Sequence, residues 1–368
     1  MLAALLPLAV AVAAIIGLPL LGAIIARQPL SELVQLPLNA WGWDALPFDP
    51  EAFWASVAAV AGVLLLTLWM VRPRSLTAAP LPRTAAVALP LWGWLGVLVA
   101  LGAAGAASTT IGLPLLFLGL ALLLNADTER RTGSSLLTKR PAYFAVLFPA
   151  SAVFGWLYYY LNLYLQLWIY PSAGSPFVFS ATQTVCYAVL LPTLLSLRQW
   201  LGSFPLVLDW CSRGRPVTWS NAPEAGWILL GLGCFGLVGA AIWRDWIYPI
   251  TWIAPLLLAL GIQRIRGRSS PFAAGTKGDW SRMALPAVSA LGIGVIAQSW
   301  NSLAGPFWVF SLPLIDAGRV MGLAAPAYAG LLPLGLLGIW VADQLASPWR
   351  KHPLGRFRTF PIKLVIRR

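Results

Sequence analysis

The residues that could carry chemistry in this chain are few, and most of them are amides and aromatic hydroxyls. His352 is the only histidine, which excludes bis-histidine haem, histidine-ligated chlorophyll, a histidine zinc site and a serine–histidine triad. Cys186, Cys211 and Cys234 show neither pairing nor metal-ligand spacing. No apolar segment holds a nucleophile with its base or a metal-binding set. We therefore predict no catalytic centre, no metal and no other resident cofactor.

The remaining polar groups lie in two aromatic stretches, which we call the first cap (residues 158–170) and the second cap (residues 298–310). Aromatic rings with a polar edge favour the boundary between a membrane and water. These groups could bind a lipid, a quinone, a carotenoid-type pigment or a partner helix. Alternatively, the amides could cap helix ends and the rings could form an ordinary aromatic belt. The candidate contact residues are Tyr158, Tyr159, Tyr160, Asn162, Tyr164, Gln166, Trp168, Gln298, Trp300, Asn301 and Trp308.

The composition indicates which elements must position these residues. Of the 368 residues, 59% are hydrophobic and only 10% are charged. A soluble domain cannot bury that much apolar surface, whereas a bilayer solvates it. The net charge of +13 does not indicate nucleic-acid binding, because the cations form short clusters between apolar runs. The sequence therefore predicts an all-α, polytopic integral membrane protein.

The apolar runs predict about ten membrane-spanning helices. The first, Leu2 to Ile25, lacks a basic segment before it and is longer than the core of a signal peptide, so we expect it to be retained. Prolines within several runs predict kinks. The other nine spans are predicted at residues 53–71, 85–104, 110–125, 143–161, 180–197, 226–243, 250–265, 284–303 and 329–345.

The distribution of Lys and Arg predicts the orientation of these spans. With ten spans, 22 of the 25 Lys and Arg residues fall on one face, and only Arg27, Arg244 and Arg319 fall on the other. Cytoplasmic loops carry the excess of cations in membrane proteins. We therefore expect a bacterial inner-membrane protein with both termini in the cytoplasm and both caps on the opposite face.

Matching segments recur at a nearly constant offset and predict an internal duplication. Pro114 and Pro255, and likewise Tyr187 and Tyr328, lie 141 residues apart within similar segments, and Asn162 precedes Asn301 by 139. We predict a two-helix leader (residues 1–84), two parallel four-helix repeats (85–225 and 226–346) and a basic cytoplasmic tail (347–368). An even number of spans per repeat gives both repeats the same orientation, with their interface at the centre.

The same residues resemble a family of uncharacterised polytopic inner-membrane proteins of bacteria. The run from Tyr158 to Tyr170 is similar to that family's pattern Phe-Glu-Tyr-Leu-Asn-Arg-Phe-Val-Gln-Asn-Trp-Tyr-Tyr. The segment Gln298-Ser-Trp-Asn301 resembles its Glu-Met-Trp-Asn, and Ala327 to Gly335 resembles its Gly-Tyr-Ala-Gly-Tyr-Leu-Pro-Phe-Gly. The similarity extends from about residue 28 and is clearest after residue 130. It brings no activity with it.

This chain departs from the family pattern at its charged positions. Tyr159 and Gln298 occupy the positions of glutamates, and Leu163 and Phe307 occupy positions of cations. Later acidic positions are Gly322 and Leu337 here. Charges inside a membrane are costly and are usually functional. We therefore expect that any carboxylate chemistry or ion passage of the family is absent from this chain.

Two functions remain open from the sequence. The first is a noncatalytic accessory subunit of a multi-subunit membrane complex, such as a respiratory or photosynthetic electron-transfer assembly, with membrane lipids and integral-membrane subunits as partners. The second is a transporter of a small neutral or apolar solute, because duplicated halves and proline-broken helices suit alternating access. No acidic or basic cluster inside the spans selects between them.

Overall fold

The computed structural model describes residues 2–29, 36–42, 46–71, 109–171, 173–218, 223–268, 272–303 and 307–346. These residues are mainly helical. The helices are α1 (Leu2–Ile25), α2 (Pro50–Val71), α3 (Thr109–Thr132), α4 (Leu136–Lys139), α5 (Pro141–Leu165), α6 (Pro176–Ala188), α7 (Leu190–Leu201), α8 (Pro205–Ser212), α9 (Pro223–Ile242), α10 (Arg244–Ile265), α11 (Ser281–Leu303) and α12 (Leu331–Ala346). Two 3-10 helices, Ala273–Lys277 and Ala325–Gly330, precede α11 and α12.

Within the described part of the chain, eight helical segments are long and apolar enough to cross a membrane, which confirms a multi-pass helical membrane protein. They are Leu5–Ile25, Gly112–Thr132, Pro141–Leu165, Pro176–Leu201, Glu224–Ile242, Arg244–Ile265, Ser281–Ser302 and Ala325–Ala346. The predicted second span lies within the 22-residue helix α2. The predicted span at 85–104 and the predicted tail at 347–368 lie outside the described residues.

Helix α1 packs against the helical body with part of its surface and has the smallest buried share of the eight described spans. It contacts α9, α10, α5 and α12, and it carries no charged residue. Gly22 permits the closest approach, because a Cβ added there would lie 2.1 Å from the backbone oxygen of Val238. Small residues let helices pack closely in a membrane, where dispersion contacts replace the hydrophobic effect. The leader helix therefore contacts both halves of the chain.

The span at 176–201 is divided into two helices near Pro192, one of the prolines from which the sequence predicted kinks. Pro192 has no N–H to donate to the helical ladder. The buried Ser151 hydroxyl also enters this ladder: it donates to the Tyr187 carbonyl at 2.5 Å and accepts from the Leu191 N–H at 2.9 Å. In an unbroken helix these two backbone groups would bond to each other. The chain consequently separates into α6 and α7 at Val189.

Two short antiparallel ladders lie at the end of the body where the caps are. Strand β1 (Trp168–Ile169) pairs with β2 (Val309–Phe310), and β3 (Arg319–Val320) pairs with β4 (Leu323–Ala324). The opposite end holds the loops after α3, α7 and α10. We call it the basic end, because twelve of the fifteen Lys and Arg residues that the structure describes lie there.

Helix α2 contacts the described body near its two ends. At the cap end, the Asp49 N–H donates to the Leu314 carbonyl at 2.9 Å, and the Phe53 ring lies against Gly318. At the basic end, the Arg215 guanidinium lies 4.2 Å from the Trp69 ring centroid. Between these contacts, the side chains of Trp54 and Leu65 are 65% and 67% exposed.

Candidate functional site: the paired caps

Asn162 organises the first cap. It is fully buried in the last turn of α5, and its side-chain oxygen accepts from the backbone N–H groups of Leu167 (2.8 Å) and Trp168 (3.2 Å). Its amide nitrogen donates to the Trp168 carbonyl at 2.6 Å. The amide therefore hydrogen-bonds three backbone groups at the point where the helical ladder ends. Without it, these groups would need water as their partner.

Asn301 has the same contacts in the second cap. Its side-chain oxygen accepts from the N–H groups of Phe307 (2.8 Å) and Trp308 (3.2 Å), and its amide nitrogen donates to the Trp308 carbonyl at 2.8 Å. Asn162 and Asn301 thus each fold the following segment back over a helix end. The amide suits this position because its oxygen accepts from two N–H groups while its separate nitrogen donates to a carbonyl.

The two caps are joined directly by the β1–β2 ladder. Trp168 is opposite Phe310, and Ile169 is opposite Val309. The Ser311 N–H extends this ladder by donating to the Leu167 carbonyl at 2.9 Å. The tryptophans follow their asparagines at six and seven residues, and aligning Trp168 with Trp308 makes Ile169 equivalent to Val309. These two residues are opposite each other in the ladder, as expected at a local twofold axis.

The loop after α1 closes over the first cap. The Leu38 N–H donates to the Tyr159 hydroxyl at 2.8 Å, and the Tyr170 N–H donates to the Leu38 carbonyl at 2.8 Å. The Gly42 N–H donates to Oε1 of Gln166 at 2.6 Å. Gln166 ends α5 in the left-handed conformation, with φ of 47°, which turns the chain towards this loop. The leader thus binds the cap through backbone groups and two cap side chains.

Most of the predicted contact residues point inwards. Those that are at least nine-tenths buried are Tyr159, Asn162, Tyr164, Gln166, Trp168, Gln298, Trp300 and Asn301, whereas Tyr158, Tyr160 and Trp308 are partly exposed. The rings pack on one another and on their neighbours: the centroids of Tyr159 and Phe179 are 5.6 Å apart, and those of Tyr158 and Trp252 are 5.1 Å apart. Within this chain, the first cap is an internal aromatic cluster and not an exposed belt.

The hydroxyl groups of the first cap bind one another. The Tyr160 and Tyr164 hydroxyl oxygens are 2.7 Å apart, and the Tyr170 and Tyr187 hydroxyl oxygens are 3.1 Å apart. Burial raises the pKa of the Tyr170 hydroxyl well above its usual value, because the phenolate would lose its hydration. These phenols therefore stay neutral and act as hydrogen-bonding groups.

A cavity of about 350 Å³ lies where the leader loop meets the end of α5 and the segment that follows the second cap. Its wall combines apolar and aromatic side chains with an amide, a hydroxyl and a carboxylate. The carboxylate, Asp316, is already paired with Arg319, whose Nε lies 2.9 Å from Oδ1. The lining residues are Trp41, Leu46, Pro47, Phe48, Leu165, Gln166, Ser311, Leu312, Pro313 and Asp316. The cavity has the volume of a small-molecule site, but the charge of its carboxylate, Asp316, is neutralised by Arg319.

A second, much smaller space of about 30 Å³ lies between α1, α5, α10 and α12. Its lining is apolar apart from the edges of Tyr158 and Trp340. A space of this size holds at most about one water molecule, and a water needs polar partners that these walls do not supply.

Two polar atoms near the second cap are buried without a hydrogen-bond partner. They are Oε1 of Gln298 and Nε1 of Trp300. Gln298 and Tyr159 occupy corresponding positions before the two asparagines, and Tyr159 is bonded to the leader loop. The second cap has no equivalent leader loop among the described residues. The two caps therefore share the asparagine geometry but differ in what covers them.

Several residues of the site were not predicted from the sequence. Their hydrogen bonds join residues that are 36 to 124 positions apart in the sequence. These residues are Ser151, Tyr187, Leu38 and Gly42. Pro37 indicates the turn beside Leu38, and Pro192 indicates the helix break. Neither proline indicates that Tyr159 or Ser151 would be the hydrogen-bonding partner there. Among the described residues, no group of three or more His, Cys, Asp or Glu could hold a metal ion.

Comparisons with family models, with curated proteins and with solved structures find no match for this chain. We therefore infer the function from the geometry of the chain itself.

Proposed function

We propose that this protein is a noncatalytic accessory subunit of a multi-subunit complex of the bacterial inner membrane. The observation that carries the proposal is the use of the cap polar groups. Asn162, Asn301, Tyr159 and Gln166 all bind backbone groups of their own chain. Polar groups that already hydrogen-bond the protein's own backbone stabilise its fold and are not available to bind a substrate.

Helix α2 supplies the proposed contact surface. Trp54, near its beginning, and Leu65, towards its end, are exposed, while both ends of the helix contact the body. Integral-membrane partner helices, with lipid filling the remaining surface, are the ligands that suit an apolar face held in this way. Respiratory and photosynthetic electron-transfer complexes are candidate hosts, and a quinone or carotenoid-type molecule is a candidate ligand for the aromatic caps.

The proposed architecture has ten spans, with the leader followed by two parallel four-helix repeats. The matched hydrogen bonds of Asn162 and Asn301 support the duplication. Further support comes from packing, because α5 contacts α10 while α11 contacts α3. These are the reciprocal contacts that two equivalent halves make across a twofold axis.

The proposed orientation places the basic end and both termini in the cytoplasm. Its support is the concentration of twelve of the fifteen described Lys and Arg residues at that end. Arg27, Arg244 and Arg319 are the described cations at the cap end. The caps then face the periplasm.

The alternative function is transport of a small neutral or apolar solute. The cavity beside the caps favours it, since about 350 Å³ would hold such a solute. A route through the repeat interface would need the crevice of about 30 Å³ to widen. That widening would require α1 to move away from α5 and α12.

Purification in a mild detergent distinguishes the two functions. An accessory subunit should co-purify with partner subunits in fixed stoichiometry, and replacing Trp54 and Leu65 by Ala should weaken that association. Replacing the equally exposed Trp227 and Ile228 of α9 by Ala is a matched control and should leave it intact. A stable protein that purifies without partners, and that catalyses solute uptake in liposomes, would reject the subunit and support the transporter.

A further inference from the structure

The cavity of about 350 Å³ at the cap end is walled by three segments that lie far apart in the sequence. They are the leader loop, the end of α5 and the segment that follows β2. The Ser311 N–H donates to the Leu167 carbonyl and the Asp49 N–H donates to the Leu314 carbonyl, each at 2.9 Å. These backbone bonds join the three segments, so the fold itself forms the cavity. The wall residues that carry polar groups or aromatic rings are Trp41, Phe48, Gln166, Ser311 and Asp316.

Gln166 contributes an unused donor to this wall. The residue is 6% exposed, and its Oε1 accepts from the Gly42 N–H at 2.6 Å. This bond fixes the orientation of the amide, because an N–H group donates and cannot accept. The backbone thus uses only the oxygen of the amide. Its nitrogen, Nε2, has no hydrogen-bond partner in the part of the chain that the structure describes, so its two N–H groups are available to an acceptor in the cavity.

Ser311 and Asp316 add acceptors to the same wall. The Ser311 hydroxyl has no hydrogen-bond partner among the described residues, and a hydroxyl can both donate and accept. The Asp316 carboxylate is paired with Arg319, whose Nε lies 2.9 Å from Oδ1 and whose Nη2 lies 2.5 Å from Oδ2. Each carboxylate oxygen has two lone pairs, so each can accept a further bond from a ligand hydroxyl. Because Arg319 balances the carboxylate, the site favours a neutral ligand.

Two exposed aromatic side chains provide an apolar part of the wall. Trp41 is 37% exposed and Phe48 is 45% exposed. The Phe53 ring packs against Phe48, with the ring centroids 5.6 Å apart. The negative face of an aromatic ring attracts the weakly positive C–H groups of a sugar ring. Aromatic side chains beside a few unused polar groups are typical of small-molecule sites.

This combination of groups selects the class of ligand. A quinone carries carbonyl acceptors only, so its oxygens would meet the Asp316 carboxylate without a donor between them. An apolar solute would leave Nε2 of Gln166 and the Ser311 hydroxyl without partners. A pyranose ring has hydroxyl groups around its edge, which both donate and accept, and C–H groups on its faces. It therefore matches both the polar and the aromatic parts of the wall.

We propose that the cavity binds a pyranose unit of a neutral saccharide. Nε2 of Gln166 and the Ser311 hydroxyl bond to the hydroxyl groups of the sugar, one of which donates to Asp316, and Trp41 covers a C–H face. Binding requires neither a partner subunit nor passage of the sugar through the membrane. A failure of co-purification would therefore reject the accessory function without affecting this site, and a failure of sugar binding would leave the accessory function intact.

Saturation-transfer difference NMR on the full-length protein tests the site, since this method detects weakly bound sugars. The protein is held in lauryldimethylamine oxide, because glucoside and maltoside detergents carry the proposed ligand. The probes are the methyl pyranosides of glucose, galactose and mannose, compared with open-chain sorbitol, charged glucuronate and a short-tailed ubiquinone. At least one pyranoside should bind more tightly than the three comparison compounds, with the strongest transfer to its ring C–H protons. Tighter competition by dodecyl maltoside than by maltose would support a glycolipid as the source of the sugar, and equal competition would support a free saccharide.

Two variants locate the binding in the cavity. Ser311→Ala removes the hydroxyl but keeps the backbone bond to Leu167, and it should weaken pyranoside binding roughly three- to tenfold. Trp41→Ala removes the stacking surface and should weaken binding to a similar extent. Trp246→Ala is the matched control, because Trp246 is 68% exposed and does not line the cavity, and it should retain the wild-type affinity.

Three results would overturn the proposal. The first is wild-type affinity in both Ser311→Ala and Trp41→Ala, which would place the sugar elsewhere. The second is equal binding of sorbitol and the pyranosides, which would remove the role of the ring faces. The third is no binding of any pyranoside, and binding of the quinone in that case would replace the saccharide as the ligand.

Discussion

Replacing Asn162 by Ala tests the cap geometry most directly. The substitution removes an amide that satisfies the Leu167 N–H, the Trp168 N–H and the Trp168 carbonyl. Asn162 is fully buried, and Trp168 is 8% exposed, so water cannot readily replace the amide. The backbone groups also cannot rejoin the helix, because α5 ends at Leu165.

The expected loss follows from these three bonds. A net contribution of about 1 kcal/mol per hydrogen bond gives roughly 3 kcal/mol, while bonds between membrane helices average nearer 0.6 kcal/mol, or about 2 kcal/mol in total. We therefore expect Asn162→Ala to lower the free energy of unfolding by about 2–3 kcal/mol. Asn162→Asp retains the acceptor but places an oxygen opposite the Trp168 carbonyl, so it should also destabilise the protein.

Unfolding by SDS titration, followed by tryptophan fluorescence, measures these differences. Asn301→Ala is the matched variant, because it removes the same three bonds from the second cap. Asn301 is 5% exposed, so its loss should be equal or slightly smaller. The double variant should cost less than the sum of the single variants, since β1 and β2 belong to one ladder. A change below about 0.5 kcal/mol in Asn162→Ala would refute the reasoning.

Three further predictions test the helix break, the orientation and a buried thiol. Ser151→Ala should lower the free energy of unfolding by about 1–3 kcal/mol, since the buried Leu191 N–H would lose its acceptor and the Tyr187 carbonyl would lose one of its two donors; SDS titration measures it, and an unchanged midpoint would count against the inserted hydroxyl. Gly174→Cys should react with an impermeant maleimide in intact cells and Thr276→Cys only after lysis, both positions being exposed; the reverse pattern would invert the proposed orientation. Burial, with a smaller contribution from Asp279, raises the pKa of the Cys211 thiol to about 11, so alkylation should be slow at pH 7.5. Because the thiolate is favoured in the unfolded chain, the contribution of Cys211 to stability should be complete below about pH 9 and decline as the pH rises towards 11; Cys211→Ala should make the alkaline loss of stability less steep, and rapid labelling at pH 7.5 would contradict the burial.

The sequence predicted the helical membrane class well because the bilayer constrains it strongly. A span needs about twenty apolar residues, so Pro141–Leu165 and Ser281–Leu303 are visible as runs. The corresponding asparagines were also visible, because their spacing from the following tryptophans is local. Pro192 predicted a kink in the span at 180–197, but the part that Ser151 plays in it was not predicted, since Ser151 lies in another helix.

The orientation of the aromatic side chains could not be predicted from the pattern. A run of tyrosines at a helix end is equally consistent with an outer belt and an inner cluster. Tyr159 is buried because Leu38 and Phe179 cover it, and these residues lie in other parts of the chain. In the same way, Asp343 is expected near the membrane surface from its position, but its partner Arg282 depends on how α11 packs against α12.

By itself, the sequence determined where the chain can cross a membrane, which loops are cationic and which two helix ends carry an asparagine before an aromatic segment. Those properties depend on hydrophobicity, charge and local spacing, and none of these requires contact with a distant part of the chain. The tertiary structure alone decided that the caps pair through Trp168 and Phe310, that α1 contacts α5, α9, α10 and α12, and that Arg282 pairs with Asp343. These properties depend on contacts between segments far apart in the chain, because burial and hydrogen bonding are fixed only when the helices pack.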